Sequence, residues 1–215
     1  MKKHILLFSL LCTSLVWPAV AQTNHNNHHN HNHNQHPQMQ GAQPSGKSLY
    51  WLDGTWINQQ KKKLELKSLR GQIVVIAMIY SSCSSVCPLI LEDVKKIEKS
   101  LSSADRGKVT FVLVSFDPQR DSPEKLAQYA QKHGVNRAHW HFLNGKASQV
   151  SELAALLGVR YQATAQAEFI HSNQITLLNA EGEVAYQRPD LKTDLSDFQK
   201  KLKGLLPPVS HQGHH

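Results

Sequence analysis

The chain has 215 residues, 40% of them hydrophobic and 19% charged, with a formal charge of +8 and three cysteines. That length can bury a core of one domain, and so few cysteines exclude a disulfide scaffold, so the fold must rest on apolar packing. Lys and Arg are spread out, with one run at Lys61-Lys62-Lys63 that reads as a solvated strand end; no aromatic-interleaved basic face is visible, which argues against nucleic acid as a partner.

Residues 1–21 read as a removable signal peptide. Met1-Lys2-Lys3 is a short basic start, Ile5 to Trp17 is an apolar run too short to span a bilayer, and Ala19-Val20-Ala21 has the small-x-small form of a cleavage site. Cys12 would leave with this peptide; lipidation there is the alternative, disfavoured by the bulky Leu11 before it. Export from a Gram-negative cell means the periplasm, which permits disulfides, so a periplasmic or exported chain, released after cleavage, is the expectation. Residues 22–46 hold six histidines, many asparagines and almost nothing apolar. They cannot bury enough surface to fold and read as a disordered arm. Its imidazoles either gather copper, zinc or nickel weakly or belong to a polar linker without function; composition leaves both open. The tail 209–215, with His211, His214 and His215, carries the same reading with less weight. The folded domain is expected over 47–208.

Leu49 to Gln60 suggests a hairpin turning at Asp53-Gly54. Leu64, Leu66 and Leu69 lead to Arg70-Gly71 and an apolar, β-branched run, Ile73 to Ile79, which reads as a strand buried on both faces. A Ser-rich turn with Cys83 and Cys87 follows, then Pro88 at a first helical position and Ile90, Val94, Ile97 and Leu101 on one helix face. Glu92 and Asp93 early and Lys95, Lys96 and Lys99 late suit the helix dipole. Lys108 to Phe116 is a second buried strand. Ser122 and Pro123 start a helix that stops at His133-Gly134; Trp140 to Leu143 is a short strand; Ser148 to Leu157 is a helix ending at Gly158. Ile175 to Leu178 and Glu183 to Gln187 form a hairpin, and Thr193 to Leu206 is a closing amphipathic helix before Pro207-Pro208. Strands alternating with helices, then an antiparallel hairpin and a last helix, predict an α/β, thioredoxin-like mixed sheet flanked by helices, with an added N-terminal hairpin.

The chemistry gathers where the first buried strand hands over to a helix. Free N–H groups and the dipole there favour thiolate, which is both nucleophile and soft-metal ligand. Cys83-Ser-Ser-Val-Cys87 is C-x₃-C, one residue wider than the thioredoxin spacing, so two sulfurs can close a disulfide or open to hold one metal ion. A disulfide that merely pins the loop is the bland alternative, but a five-residue ring removes little unfolded-state entropy. Structural zinc wants four ligands, usually from two pairs, and no second pair exists. Copper accepts two or three soft ligands. Of the histidines in the folded region, His133 closes a helix, where a cationic ring suits the dipole. His139 and His141 flank Trp140 and read as surface residues. His171 opens the late strand, whose entry faces the cysteine turn in a thioredoxin-like fold, so it is the candidate third ligand by that analogy. Thiol reductases of this fold place a cis-proline in that loop; no proline lies between Pro123 and Pro189.

These residues resemble the Sco/SenC copper proteins over about 49–206: Cys83-x₃-Cys87-Pro88 after a buried strand, the Ser115-Phe-Asp117-Pro118-Gln-Arg120-Asp121-Ser-Pro123 stretch, and His171-Ser172 before a strand and the Gly182 turn. The resemblance implies a thioredoxin fold, copper held by Cys83, Cys87 and His171, and Asp117 near the site, tuning it. It implies a role in building the binuclear copper centre of cytochrome c oxidase, with oxidase subunit II as copper acceptor and a periplasmic copper donor as partners. Family members usually carry an aromatic, a Thr and a Pro around the first cysteine, where this chain has Tyr80-Ser-Ser-Cys83-Ser, and the acidic residue often found between the cysteines is absent. Many relatives also keep a membrane anchor. The residues leave an enzyme as the alternative: a thiol–disulfide reductase keeping the target's cysteines reduced, with Cys83 attacking and Cys87 resolving. A peroxidase is weaker, since no nearby residue clearly activates peroxide.

Overall fold

The computed structural model describes residues 48–164 and 168–207. The stretches read above as a signal peptide (1–21), a His-rich arm (22–46) and a histidine tail (209–215) lie outside the described residues. A short 3-10 turn, Leu49–Trp51, leads into β1 (Trp56–Asn58) and β2 (Lys63–Leu64), which pair antiparallel. The predicted N-terminal hairpin is therefore present, but it turns after Asn58 and not at Asp53-Gly54. The side chain of Asn58 sets that turn: its Oδ1 accepts from the N–H groups of Gln60 and Lys62, both at 2.9 Å, while Lys61 takes a φ of 62°. Gly54 instead gives close approach, since a Cβ there would run into the side chain of Gln149.

β3 (Ile73–Ile79) and β4 (Val109–Ser115) pair in parallel, and all seven residues of each are buried, as their unbroken apolar runs demand. Between them lie α1 (Cys87–Lys99) and the single turn α2 (Ser103–Arg106). Because α1 begins at Cys87, Glu92 and Asp93 fall beyond its first turn; they pair with Lys95 and Lys96 at 2.7 and 2.8 Å instead of facing the dipole. α3 (Pro123–Lys132) starts as predicted, Ser122 accepting from the Lys125 N–H and Pro123 following. β5 (Trp140–Asn144) runs parallel to β4, and α4 (Ala147–Leu157) ends at Gly158 with φ 71°.

The next pair was not foreseen. β6 (Tyr161–Ala163) and β7 (Phe169–His171) form a two-stranded sheet of their own. β8 (Ile175–Leu178) then returns to pair antiparallel with β3, and β9 (Val184–Arg188) with β8. α5 (Ser196–Leu205) starts three residues later than predicted, because the Thr193 carbonyl is held by the Arg188 guanidinium. The main sheet has the order β2-β1-β5-β4-β3-β8-β9. It is a mixed sheet with β3 and β4 inside it and the N-terminal hairpin at one edge, so the C-terminal end of β3 delivers the cysteine loop from the middle of the core.

Candidate metal centre

The site begins where β3 ends. Tyr80 is the first residue after the strand, and the loop through Val86 must turn back into α1. One carboxylate braces it: Asp121, 1% exposed, accepts from the Ser81 N–H at 2.8 Å, from the Ser81 hydroxyl, and from the Ser115 hydroxyl at 2.6 Å. Three donors on one buried carboxylate satisfy its charge and fix the loop to the end of β4. Helix α1 has no side-chain oxygen at its cap; the Cys83 sulfur takes that place and accepts the Cys87 N–H at 3.4 Å. The Tyr80 N–H points at the Cys87 sulfur from 3.5 Å, and the Tyr80 carbonyl accepts the Cys83 N–H.

Both thiols are free and buried, yet they differ. Burial opposes ionisation of Cys83, but the N–H groups of Cys87, Ser85 and Val86 and the neighbouring Cys87 thiol outweigh it and bring its pKa down to about 6. Cys87, fully buried, is pushed well up, by burial first and then by the negative charges of Cys83 and Asp121; the Tyr80 N–H opposes this without reversing it. The dipole argument from sequence thus holds for Cys83 and fails for Cys87, because desolvation at 0% exposure exceeds what one N–H returns.

His171 arrives from β7, the end of the small hairpin, and not from the start of the late strand where the sequence placed it. Its Nε2 lies 3.7 Å from the Cys87 sulfur. Its Nδ1 lies 3.1 Å from the Ser172 carbonyl, which can only accept, so the proton belongs on Nδ1 and the Nε2 lone pair faces the sulfurs. Phe116 and Tyr80 hold the ring, with centroids at 4.9 and 6.0 Å. The two sulfurs and a ring nitrogen all lie within 4.8 Å of one another. Donors bound to one ion by bonds of about 2.0–2.3 Å sit no more than ~4.6 Å apart, so a small contraction closes the set on a metal. Two thiolates and an imidazole suit a soft or borderline ion, and three protein donors are one short of a closed structural zinc site.

The other predicted positions resolve differently. Asp117 is buried, but its carboxylate accepts from Arg120. The carboxylate bonded to the cysteine loop is that of Asp121, four residues on. Asp121 stood in the quoted motif, but no local signal singled it out, because its partner Ser81 lies 40 residues away. His139 is not a free surface residue: its Nε2 meets the buried Glu98 at 2.7 Å, beside Arg137 and Trp140. His141 is half-buried, with Nδ1 unpartnered, and burial followed by the nearby His139 pushes its pKa down. His133 caps α3, but burial and then Lys132 and Lys95 push its pKa down as well, so the ring packs on Tyr129 at 4.4 Å and is not a cationic cap.

Against known proteins, the sequence model of the SCO1/SenC family matches residues 46–206. The chain belongs to the SCO1/SenC family. It is 26% identical over 133 residues to the SCO1 protein homolog of Bacillus subtilis (strain 168), covering 60% of this chain and 68% of that one. Among solved structures, the fold matches Bradyrhizobium japonicum ScoI with copper bound, with a TM-score of 0.60 and 23% identity over 71% of this chain and 96% of that one. It also matches BsSco, a member of the Sco family of cytochrome c oxidase assembly proteins in which a disulfide switch has been identified, with a TM-score of 0.64 and 23% identity over 76% and 96%. These matches agree with the thioredoxin-like expectation for this SCO1/SenC chain. Among the described residues no helix is long and apolar enough to cross a membrane.

Proposed function

We propose that this SCO1/SenC chain holds one copper ion on Cys83, Cys87 and His171 and passes it as cargo to a copper enzyme, the binuclear copper centre of cytochrome c oxidase subunit II. The observation that carries the reading is the convergence of two free thiols and a correctly tautomerised imidazole within 4.8 Å. The copper bound to the related ScoI, and the assembly role of the Sco family to which BsSco belongs, support it. Two thiolates leave a local charge of −1 with Cu(I) and zero with Cu(II), so the ion's redox state alters how the site attracts an incoming acceptor. Transfer then proceeds by ligand exchange between facing sites, the bonds of the ion to Cys83, Cys87 and His171 giving way to bonds to the acceptor's ligands with no change in its oxidation state. The site works outside the cytoplasm, in the periplasm, after the signal peptide is removed, with a periplasmic donor supplying the ion.

A second reading rests on the unequal thiols. A Cys83 with a pKa of about 6 beside a protonated Cys87 is the pattern of an attacking and a resolving thiol, which suits reduction of the acceptor's cysteines. One experiment separates the two. Copper-loaded and reduced, metal-free protein are each presented to an acceptor domain whose two cysteines are free or oxidised, and copper gain and thiol gain are scored separately. The chaperone reading expects copper gain that His171→Ala abolishes. Rapid thiol gain, no copper gain and no effect of His171→Ala would replace it with the reductase.

A further inference from the structure

Tyr80 joins the two halves of the site. Its backbone touches both cysteines: the N–H faces the Cys87 sulfur at 3.5 Å and the carbonyl accepts from the Cys83 N–H at 3.3 Å. Its ring lies edge-on to His171 and Phe169, with centroids at 6.0 and 5.1 Å. Its hydroxyl donates to Glu168 Oε2 at 2.5 Å. Glu168 stands just before β7, and its carbonyl accepts the Thr164 N–H at 2.8 Å, closing the far end of the β6–β7 hairpin. At the near end the Ser172 N–H donates to the Arg160 carbonyl at 2.9 Å.

β6 and β7 pair with each other and not with the main sheet. What holds this hairpin to the body is a cluster of rings, Tyr80, Phe116, Tyr161 and Phe169, together with the Tyr161–Ser151 hydroxyl contact and the Tyr80–Glu168 hydrogen bond. Ring contacts are weakly directional and tolerate sliding. The bond from a phenol to a carboxylate is directional and charge-assisted, and it adds a directional tie between the hairpin and the residue that opens the cysteine loop, beside the ring contacts of Tyr80 with Phe169 and His171. A mobile part is also required. Cys83 and Cys87 are 6% and 0% exposed, so no acceptor thiol reaches a metal on them until something moves aside. The hairpin carries the proposed ligand His171, and among the described residues its strands make no ladder bonds to the main sheet, which makes it the element suited to opening.

We propose that the Tyr80–Glu168 hydrogen bond is the latch of a hairpin gate: closed, it holds His171 against the two sulfurs; open, it lifts the imidazole away and admits an incoming ligand. Tyr80 and Glu168 are positioning residues that set the rate of copper exchange. The inference rests on Cys83, Cys87 and His171 being the copper ligands, but the latch itself is measurable without copper.

The test uses the mature chain with Tyr80→Phe, Glu168→Ala and Glu168→Gln. In the metal-free protein, amide hydrogen exchange at Thr164 and Ser172 rises about tenfold in Tyr80→Phe and Glu168→Ala, the effect of one lost charge-assisted bond. Glu168→Gln keeps an acceptor oxygen and stays within about twofold of wild type. Amides of β3 and β4 do not change. In the Cu(II)-loaded protein, transfer of copper to excess EDTA accelerates about tenfold in the same two variants and not in Glu168→Gln. Unchanged hairpin exchange in Tyr80→Phe overturns the latch, and so does faster exchange that extends to β3 and β4, which would report general loosening. Faster hairpin exchange with unchanged copper release overturns the gate. A wild-type chain that takes up no copper, while hairpin exchange responds as stated, overturns the ligand assignment and leaves the latch standing.

Discussion

The Cys87 sulfur and the His171 Nε2 lie 3.7 Å apart although 84 residues separate them in the chain. Two different parts of the fold create that contact. β3 drives the cysteine loop out of the core, and a small hairpin outside the main sheet leans the imidazole over it. The consequence is a cluster with unequal supports: two buried thiols on a braced loop and one imidazole on a hairpin outside the main sheet.

Removing the imidazole should therefore affect the two copper states differently. Two thiolates suffice for Cu(I), whereas Cu(II) needs the ring to build a four-coordinate shell. In His171→Ala, Cu(II) affinity should fall by more than the about 10–100-fold that loss of an outer partner costs, with Cu(I) affinity changed far less. Competition titrations with chelators for each oxidation state measure both. Wild-type Cu(II) absorption in the variant would make His171 a structural residue.

The Asp121 brace should be visible in stability. Asp121→Ala leaves the Ser81 and Ser115 donors without their carboxylate in a buried setting. The expected loss is about 2–3 kcal/mol, with Asp121→Asn costing less because one acceptor oxygen remains. Urea unfolding of the reduced, metal-free chain reads this directly. A change within about 0.5 kcal/mol for the alanine variant, the size of an ordinary surface substitution, would contradict the brace.

The unequal thiols predict a pH profile. Cys83 has an ordinary value of 9.0 and a folded value of about 6, so between those limits the unfolded chain binds the extra proton and stability rises with pH. That contribution is complete above pH 9 and is lost as pH falls through 6. Cys87, shifted upward, acts in the opposite sense: its contribution is present below 9.0 and fades as pH rises above it. The reduced chain should gain stability relative to Cys83→Ser between pH 6 and 9, and lose stability relative to Cys87→Ser above 9. Parallel wild-type and Cys83→Ser profiles between pH 6 and 9 would remove the Cys83 thiolate from the account.

The legible parts of the fold were those with strong local signals. Ile73–Ile79 and Val109–Ser115 were plain because an unbroken β-branched run fits a strand covered on both faces, and Ser122-Pro123 announced α3 because cap and first helical position are read locally. The cysteines were legible for the same reason. β6 and β7 were not: at three residues each and without a buried residue, they are too short to carry a local pattern and are defined by pairing across a loop and by rings from distant strands. His171 was singled out through fold analogy, but the hairpin that carries it was missed. Asp121 and Tyr80 were hidden because a buried carboxylate and a half-polar ring acquire their roles from partners 40 and 88 residues away. The Asp53-Gly54 turn misled because Gly54 is needed for contact with Gln149, a distant residue.

The most direct test of the central claim is copper stoichiometry of the reduced chain lacking residues 1–46 and 209–215, so that the arm and tail contribute no histidines. The account predicts one copper per molecule, and none held tightly after Cys83→Ser or Cys87→Ser, since each removes half of the thiolate pair. Stoichiometric, tightly held copper in either serine variant would contradict it.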